Sequence, residues 1–218
     1  MSTLSEQFGP IDIYLFDQLL RGRVTRGMRI LDAGCGEGRN LIWLLHNSRK
    51  EAFEIFGADR DPGAIAAVRR LSASLAPHLP PDNFRVEPVE AMSFPDAMAD
   101  FAISSAVFHF ASGDDHFRAM LHGAWRALKP GGLFFCRLAS SIGIEREIRQ
   151  IDGRRCLLPD GSERYLVDET FLNELAAELG GRLADPLKTT VVQHQRSMTT
   201  WVLRKHGGNT SDKISLTI

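Results

Sequence analysis

Residues 30–40 read Ile-Leu-Asp-Ala-Gly-Cys-Gly-Glu-Gly-Arg-Asn, an apolar run that ends on the acid Asp32 and then passes through Gly34, Gly36 and Gly38. Glycines at alternate positions after a strand serve a backbone that must take positive φ, or one that a ligand must approach without meeting a Cβ. The spacing selects among nucleotide loops. A dinucleotide fingerprint counted from Gly34 needs its third glycine at position 39, where the chain has Arg39, and no Gly-Lys-Ser/Thr follows to make a P-loop. The acidic flank at Asp32 also repels a pyrophosphate. Asp59 closes the run Phe-Gly-Ala-Asp and is followed by Arg60. It is either a bidentate acceptor, which an amide cannot be, or a turn carboxylate. Arg137 stands in the otherwise apolar run Phe-Phe-Cys-Arg-Leu-Ala. A buried unpaired guanidinium is very costly, so Arg137 requires either a carboxylate partner or an anionic ligand.

The elements that position these residues alternate between extended and helical patterns, which argues for a parallel sheet covered by helices. An amphipathic segment spans residues 11–21, followed by a strand at 29–33, a helix at about 39–48, a strand at 53–58 and a helix after Pro62. Short strands are expected at 84–88 and 101–105. Asp114 is the expected cap of a helix that Lys-Pro-Gly-Gly ends at 129–132, before a central strand at 133–138. Beyond it, Pro-Asp-Gly at 159–161 predicts a hairpin inserted within about 140–167. A helix at 168–179 and an antiparallel pair around a turn at 194–197 complete a single domain over residues 1–206, with a polar, mobile tail at 207–218.

The chain's 218 residues suffice for one well-buried core, and 26 basic against 27 acidic residues leave a net charge of -1. There is no global pull toward nucleic acid or an acidic membrane. Cys35, Cys136 and Cys156 are too widely spaced for a metal site or a disulfide framework and read as reduced thiols. No run approaches a membrane span and the opening Met-Ser-Thr-Leu-Ser-Glu-Gln has no basic segment followed by an apolar one, so a cytoplasmic location is expected.

The motif Asp-x-Gly-x-Gly-x-Gly, with an acid at the end of the next strand, resembles the class I S-adenosylmethionine-dependent methyltransferases. Gly-Cys-Gly-Glu-Gly-Arg-Asn together with Val-Phe-His-Phe is similar to the tellurite-resistance-type and related small-molecule members. The resemblance implies an α/β fold: a Rossmann-like, seven-stranded, mostly parallel sheet with an antiparallel C-terminal hairpin and helices on both faces. It implies S-adenosyl-L-methionine as cofactor, a ligand whose net positive charge suits Asp32. By the same resemblance the cofactor meets Asp32, Gly34, Cys35, Gly36, Gly38, Asn40, Arg60 and Ser105, while Asp59 accepts from both ribose hydroxyls. Glu90 and Ala91 fall near the adenine, although Pro88 departs from the family pattern and the usual aspartate is missing.

In a methyltransferase of this kind, a proton on an oxygen or nitrogen acceptor would have to be removed. His109 has the ordinary pKa for that base; its other reading is a histidine bonded to backbone at a helix start. Tyr14, Phe108 and Arg137 are candidates to hold the acceptor, with Phe110 beside them, though aromatic residues at a strand end also serve the core. The Asp/Asn-Pro-Pro-Tyr motif of DNA, RNA and protein-glutamine amino-methyltransferases is absent from the stretch beginning at Ser104, which disfavours nucleic acid. The expected partner is therefore a small molecule, anionic if Arg137 faces it, with no membrane, no metal, and a monomer or homodimer. The alternative from another class is a sensor or partner protein that binds S-adenosylmethionine without catalysis.

Overall fold

The computed structural model describes residues 3–207; the tail expected at 207–218 lies, from 208 on, outside the described residues. Two helices, α1 (Leu4–Phe8) and α2 (Ile13–Leu20), precede β1 (Arg29–Ala33), α3 (Ile42–Glu51), β2 (Glu54–Asp59), α4 (Pro62–Leu75) and β3 (Phe84–Val86). Next come β4 (Ala99–Ser105), α5 (Asp114–Ala127) and β5 (Leu128–Ala139). The remainder is β6 (Arg149–Asp152), β7 (Arg155–Leu157), β8 (Glu163–Tyr165), α6 (Glu169–Glu178), β9 (Gly181–Leu183), β10 (Lys188–Val192) and β11 (Arg196–Lys205).

The main sheet has the order β10-β11-β5-β4-β1-β2-β3, with β9 added beside β11. Strands β5, β4, β1, β2 and β3 run parallel, and β11 lies antiparallel to both β5 and β10. The chain moves outward from β1 through β2 to β3, then crosses back to place β4 on the other side of β1. Such a reversal opens a crevice at the carboxyl ends of the strands.

Side chains alternate across the sheet and build two cores. Leu31, Ala102, Phe134 and Cys136 point to the side covered by α5 and α6, where they meet Phe117, Trp125 and Phe171. Ile30, Phe101, Leu133 and Phe135 point to the other side, against Leu15 of α2, Leu44 of α3 and Val68 of α4. Burial on both faces explains why these strands read as nearly continuous apolar runs.

Three expectations change. Lys-Pro-Gly-Gly does not separate helix from strand: β5 begins at Leu128, and the register against β4 shifts between Ala99 and Phe101, so the extra residues are taken up as an irregularity within the strand. Gly113, not Asp114, precedes α5, and the Asp114 carboxylate accepts from the Tyr165 hydroxyl at 2.9 Å instead. The hairpin around Pro-Asp-Gly gains a third strand, β6, giving a separate antiparallel sheet β6-β7-β8. Among the described residues no helix is long and apolar enough to cross a membrane.

Candidate active site

The glycine loop is clipped to β2 by the amides of Gly34 and Cys35, which both donate to the Ala58 carbonyl, at 2.8 and 3.0 Å. Gly34 has φ +87° and a Cβ there would collide with Val107, so this glycine answers both conformation and packing. Gly36, at φ +51°, is different: a Cβ added to it meets nothing within 4 Å, because it borders an open cavity of about 620 Å³. Asp59 braces the loop from β2. Its Oδ2 accepts from the Gly36 amide at 2.9 Å and its Oδ1 from the Asp61 amide at 3.0 Å. Asp61 in turn caps α4 through the Gly63 amide at 2.8 Å, with Pro62 in the first turn.

Gly34, Cys35, Gly36, Asn40, Asp59, Arg60, Glu90 and Ser105 all reach the wall of this cavity. Asp32 lies behind the loop, 1% exposed, and neither carboxylate oxygen has a hydrogen-bond partner. Burial lifts its pKa to about 8; the nearby Arg39 guanidinium opposes the rise and the Asp59 carboxylate adds to it. A buried acid without donors is an uncommon expense in a folded chain. Gly38 is buried against Val68 and supports the loop from behind, whereas Ala91 is exposed and does not reach the cavity wall. At the far end Glu90 pairs with His116 Nε2 at 3.3 Å, a partner the linear chain did not suggest.

Asp12, which sequence reasoning passed over, is the hub of the near end. It caps α2 through the Tyr14 amide at 3.0 Å, and its own amide donates to Asn40 Oδ1 at 3.0 Å. Asp12 Oδ2 accepts from Ser105 Oγ at 3.0 Å and from Arg137 Nη1 at 3.1 Å. Arg137 therefore has a carboxylate partner, and its guanidinium also lies 5.3 Å from the centre of the Tyr14 ring. The Asn40 contact explains why α3 starts at Ile42 rather than near 39: Asn40 is turned inward to hold α2. Tyr14 borders neither cavity; its hydroxyl is 2.7 Å from Thr190 Oγ1 on β10.

A second cavity of about 330 Å³ lies beyond Ala106, whose residue belongs to the wall of both. Ala106 holds φ +64°, a conformation unfavourable for a residue with a Cβ, directly after β4. His109, Arg137, Arg164, Arg196, Asp160 and Thr190 contribute polar groups to this cavity. Phe108 does not contribute: it is fully buried and packs against Phe117 and Phe134, so its place among the acceptor residues is corrected to the core. Phe110 borders the first cavity, under the Arg164 guanidinium.

His109 has the backbone-bonded arrangement that is its other reading in the sequence. His109 Nδ1 accepts from the Ala139 amide at 3.2 Å, which leaves the proton of the neutral ring on Nε2. Burial, with the Arg164 charge in support, pushes its pKa down to about 4. In this state the ring presents its Nε2–H as a donor. Among the described residues no cluster of His, Cys, Asp and Glu is arranged to hold a metal ion.

A parallel sheet with a glycine loop at its switch point and an acid at the end of the second strand defines a Rossmann-like nucleoside-binding protein. Residues 31–136, from β1 through the loop to β5, match the methyltransferase domain family, which supports reading the chain as a class I S-adenosylmethionine-dependent methyltransferase. No curated protein sequence matches it. Among solved structures, the [4+2]-cyclase SpnF has a TM-score of 0.71 at 18% identity, covering 90% of this chain and 82% of that one. The 1,6-didemethyltoxoflavin-N1-methyltransferase of Burkholderia thailandensis has a TM-score of 0.64 at 20% identity, covering 93% and 80%. A structure described as a putative S-adenosylmethionine-dependent methyltransferase of Listeria monocytogenes has 0.62 at 13%, covering 89% and 100%. At these identities the likeness is one of fold.

Proposed function

We propose that the protein transfers a methyl group from S-adenosylmethionine to a small-molecule acceptor that carries an anionic group and sits in the second cavity. The observation that carries this reading is the shared wall at Ala106, which sets a cavity bordered by three arginines against the cavity of the glycine loop. The residues present suit the cofactor: the unpartnered Asp32 carboxylate for its cationic end, Asp59 for the ribose hydroxyls and the open face of Gly36 for close approach. When bound, S-adenosylmethionine supplies an electrophilic methyl group on sulfur. The chain's part is to fix the donor and to orient the acceptor in line with it, which by itself accounts for much of the rate in such displacements. The Burkholderia thailandensis structure was solved with 1,6-didemethyltoxoflavin and S-adenosylhomocysteine, a small acceptor on a related fold, and this supports the small-molecule reading.

A non-catalytic or differently reacting protein is the second reading, and two observations favour keeping it in view: His109 is not set up as a base, and one fold relative is a cyclase. Isothermal titration with S-adenosylmethionine, S-adenosylhomocysteine and NAD, followed by transfer of labelled methyl to a panel of small acids, separates these cases. Binding of the first two with label transfer supports methyl transfer; binding without any transfer favours the second reading. Tight binding of NAD alone overturns both.

A further inference from the structure

The second cavity contains more cationic side chains than its own structure consumes. Arg137 is neutralised by Asp12 at 3.1 Å. Arg164 and Arg196, brought to one cavity from β8 and β11, form no close ion pair among the described residues, and Glu163, the neighbour of Arg164, is taken by Arg155 at 2.8 Å. Arg164 donates only to the Glu163 carbonyl and stacks over Phe110. Among the described residues the one carboxylate on the cavity wall is Asp160, whose Oδ1 accepts from the Ser162 amide and hydroxyl at 2.9 and 2.6 Å and whose charge both arginines share. Two guanidinium groups against one carboxylate leave one net positive charge. Leu158, Val192 and Met198 give the wall an apolar side, beside the neutral polar groups of His109, Thr190, Ser162 and Ser197.

We propose that Arg164 and Arg196 form an anion clamp for the acceptor, so that the substrate class is a small monoanionic organic acid with an apolar body. The inference rests on the methyltransferase reading above and deepens it. A guanidinium matches a carboxylate through two parallel hydrogen bonds, which a neutral isostere cannot reproduce. A volume of about 330 Å³ suits a body of one ring with short substituents. A second negative charge on the ligand would meet Asp160 without a further cation to balance it. The clamp comes from the segment between β5 and α6 and from the C-terminal hairpin, neither of which lies within residues 31–136 that match the family domain.

The test is titration calorimetry on the full chain, first with S-adenosylhomocysteine and then, on the saturated complex, with benzoate, benzamide and phthalate as probes. Benzoate is expected to bind at least about tenfold more tightly than benzamide or phthalate. Arg164→Gln and Arg196→Gln should each weaken benzoate by about tenfold or more while leaving the S-adenosylhomocysteine affinity as it was, which also certifies that the variants fold. If S-adenosylhomocysteine fails to bind the parent protein, the methyltransferase reading itself fails. If it binds but benzoate shows no advantage over benzamide, or the arginine variants bind benzoate as the parent does, the clamp is overturned alone. A preference for phthalate overturns the monoanion assignment.

Discussion

The Ala139 amide donates to His109 Nδ1 at 3.2 Å across the end of the sheet, and this one bond decides what the imidazole can do. With Nδ1 committed as acceptor, protonating the ring would turn two donors toward each other. The pKa of about 4 lies below the ordinary 6.5, so the folded state resists a proton that the unfolded chain accepts. The stability contributed by the neutral ring is complete above pH 6.5 and is lost as pH falls toward 4. His109→Gln, whose carbonyl can still accept from Ala139, should lose less stability than the parent between pH 7.5 and pH 5 in urea titrations. Methyl transfer should lack a limb near pH 6.5; a kcat/KM profile with such a limb, abolished in His109→Gln, would restore the base role.

Asp32 behaves in the opposite sense. Its folded pKa of about 8 lies above the ordinary 3.8, so the folded state holds a proton that the unfolded chain has released. Its stabilising contribution is present below pH 3.8 and disappears as pH rises through 8. Asp32→Asn should therefore make the ligand-free protein more stable above neutrality, by roughly 2–5 kcal/mol at pH 9. The same substitution should weaken S-adenosylmethionine by about tenfold or more, since the amide cannot complement a cation. Thermal melts and calorimetry on one preparation check both; a less stable Asp32→Asn protein would contradict the unpaired-acid account.

Asp59 is tied both to the loop and to the ligand reading. Removing it frees the amides of Gly36 and Asp61 and takes away the carboxylate that ends β2 at the cavity. Asp59→Ala should weaken S-adenosylhomocysteine by about a hundredfold, with Asp59→Asn intermediate, because charge-assisted hydrogen bonds contribute roughly 1.5–3 kcal/mol each. Equal affinity in all three proteins, measured by calorimetry, would remove Asp59 from the site.

Much of this architecture was legible because its signals are local. A strand, a glycine loop and a helix follow one another within residues 29–51, the Asp61-Pro62 start of α4 is a contiguous pair, and Pro-Asp-Gly announces its own turn. What could not be read depends on contacts between distant segments. The either-or at Arg137 was correct as posed, but its partner lies 125 positions away, at the cap of a helix whose own sequence shows only an amphipathic stripe. The aromatic pair flanking His109 looked equivalent in sequence, yet one residue turns into the core and the other to the cavity, because the short helical turn at Phe108–Phe110 rotates them apart. The arginines of the second cavity sit on separate sheets, and only the packing of the small β6-β7-β8 sheet against the end of the main one brings them together.

The pairing of Asp12 with Arg137 gives the last prediction. The Asp12 side chain is completely buried and Arg137 is 22% exposed, so neither charge is well solvated and each depends on the other. Arg137→Met leaves the carboxylate with Ser105 and the Tyr14 amide alone, and Asp12→Asn leaves a guanidinium whose Nε already has no partner. Each single change should cost about 3 kcal/mol, the usual price of stranding one member of a buried pair. The double variant should cost less than the sum by on the order of 1–3 kcal/mol, because it strands neither. The bond from Asp12 to Asn40 is made by the backbone amide and survives the substitution, so both Asp12→Asn and Arg137→Met should leave the S-adenosylhomocysteine affinity nearly unchanged. Urea denaturation of the four proteins measures the coupling, and additive losses would show that the two residues act independently.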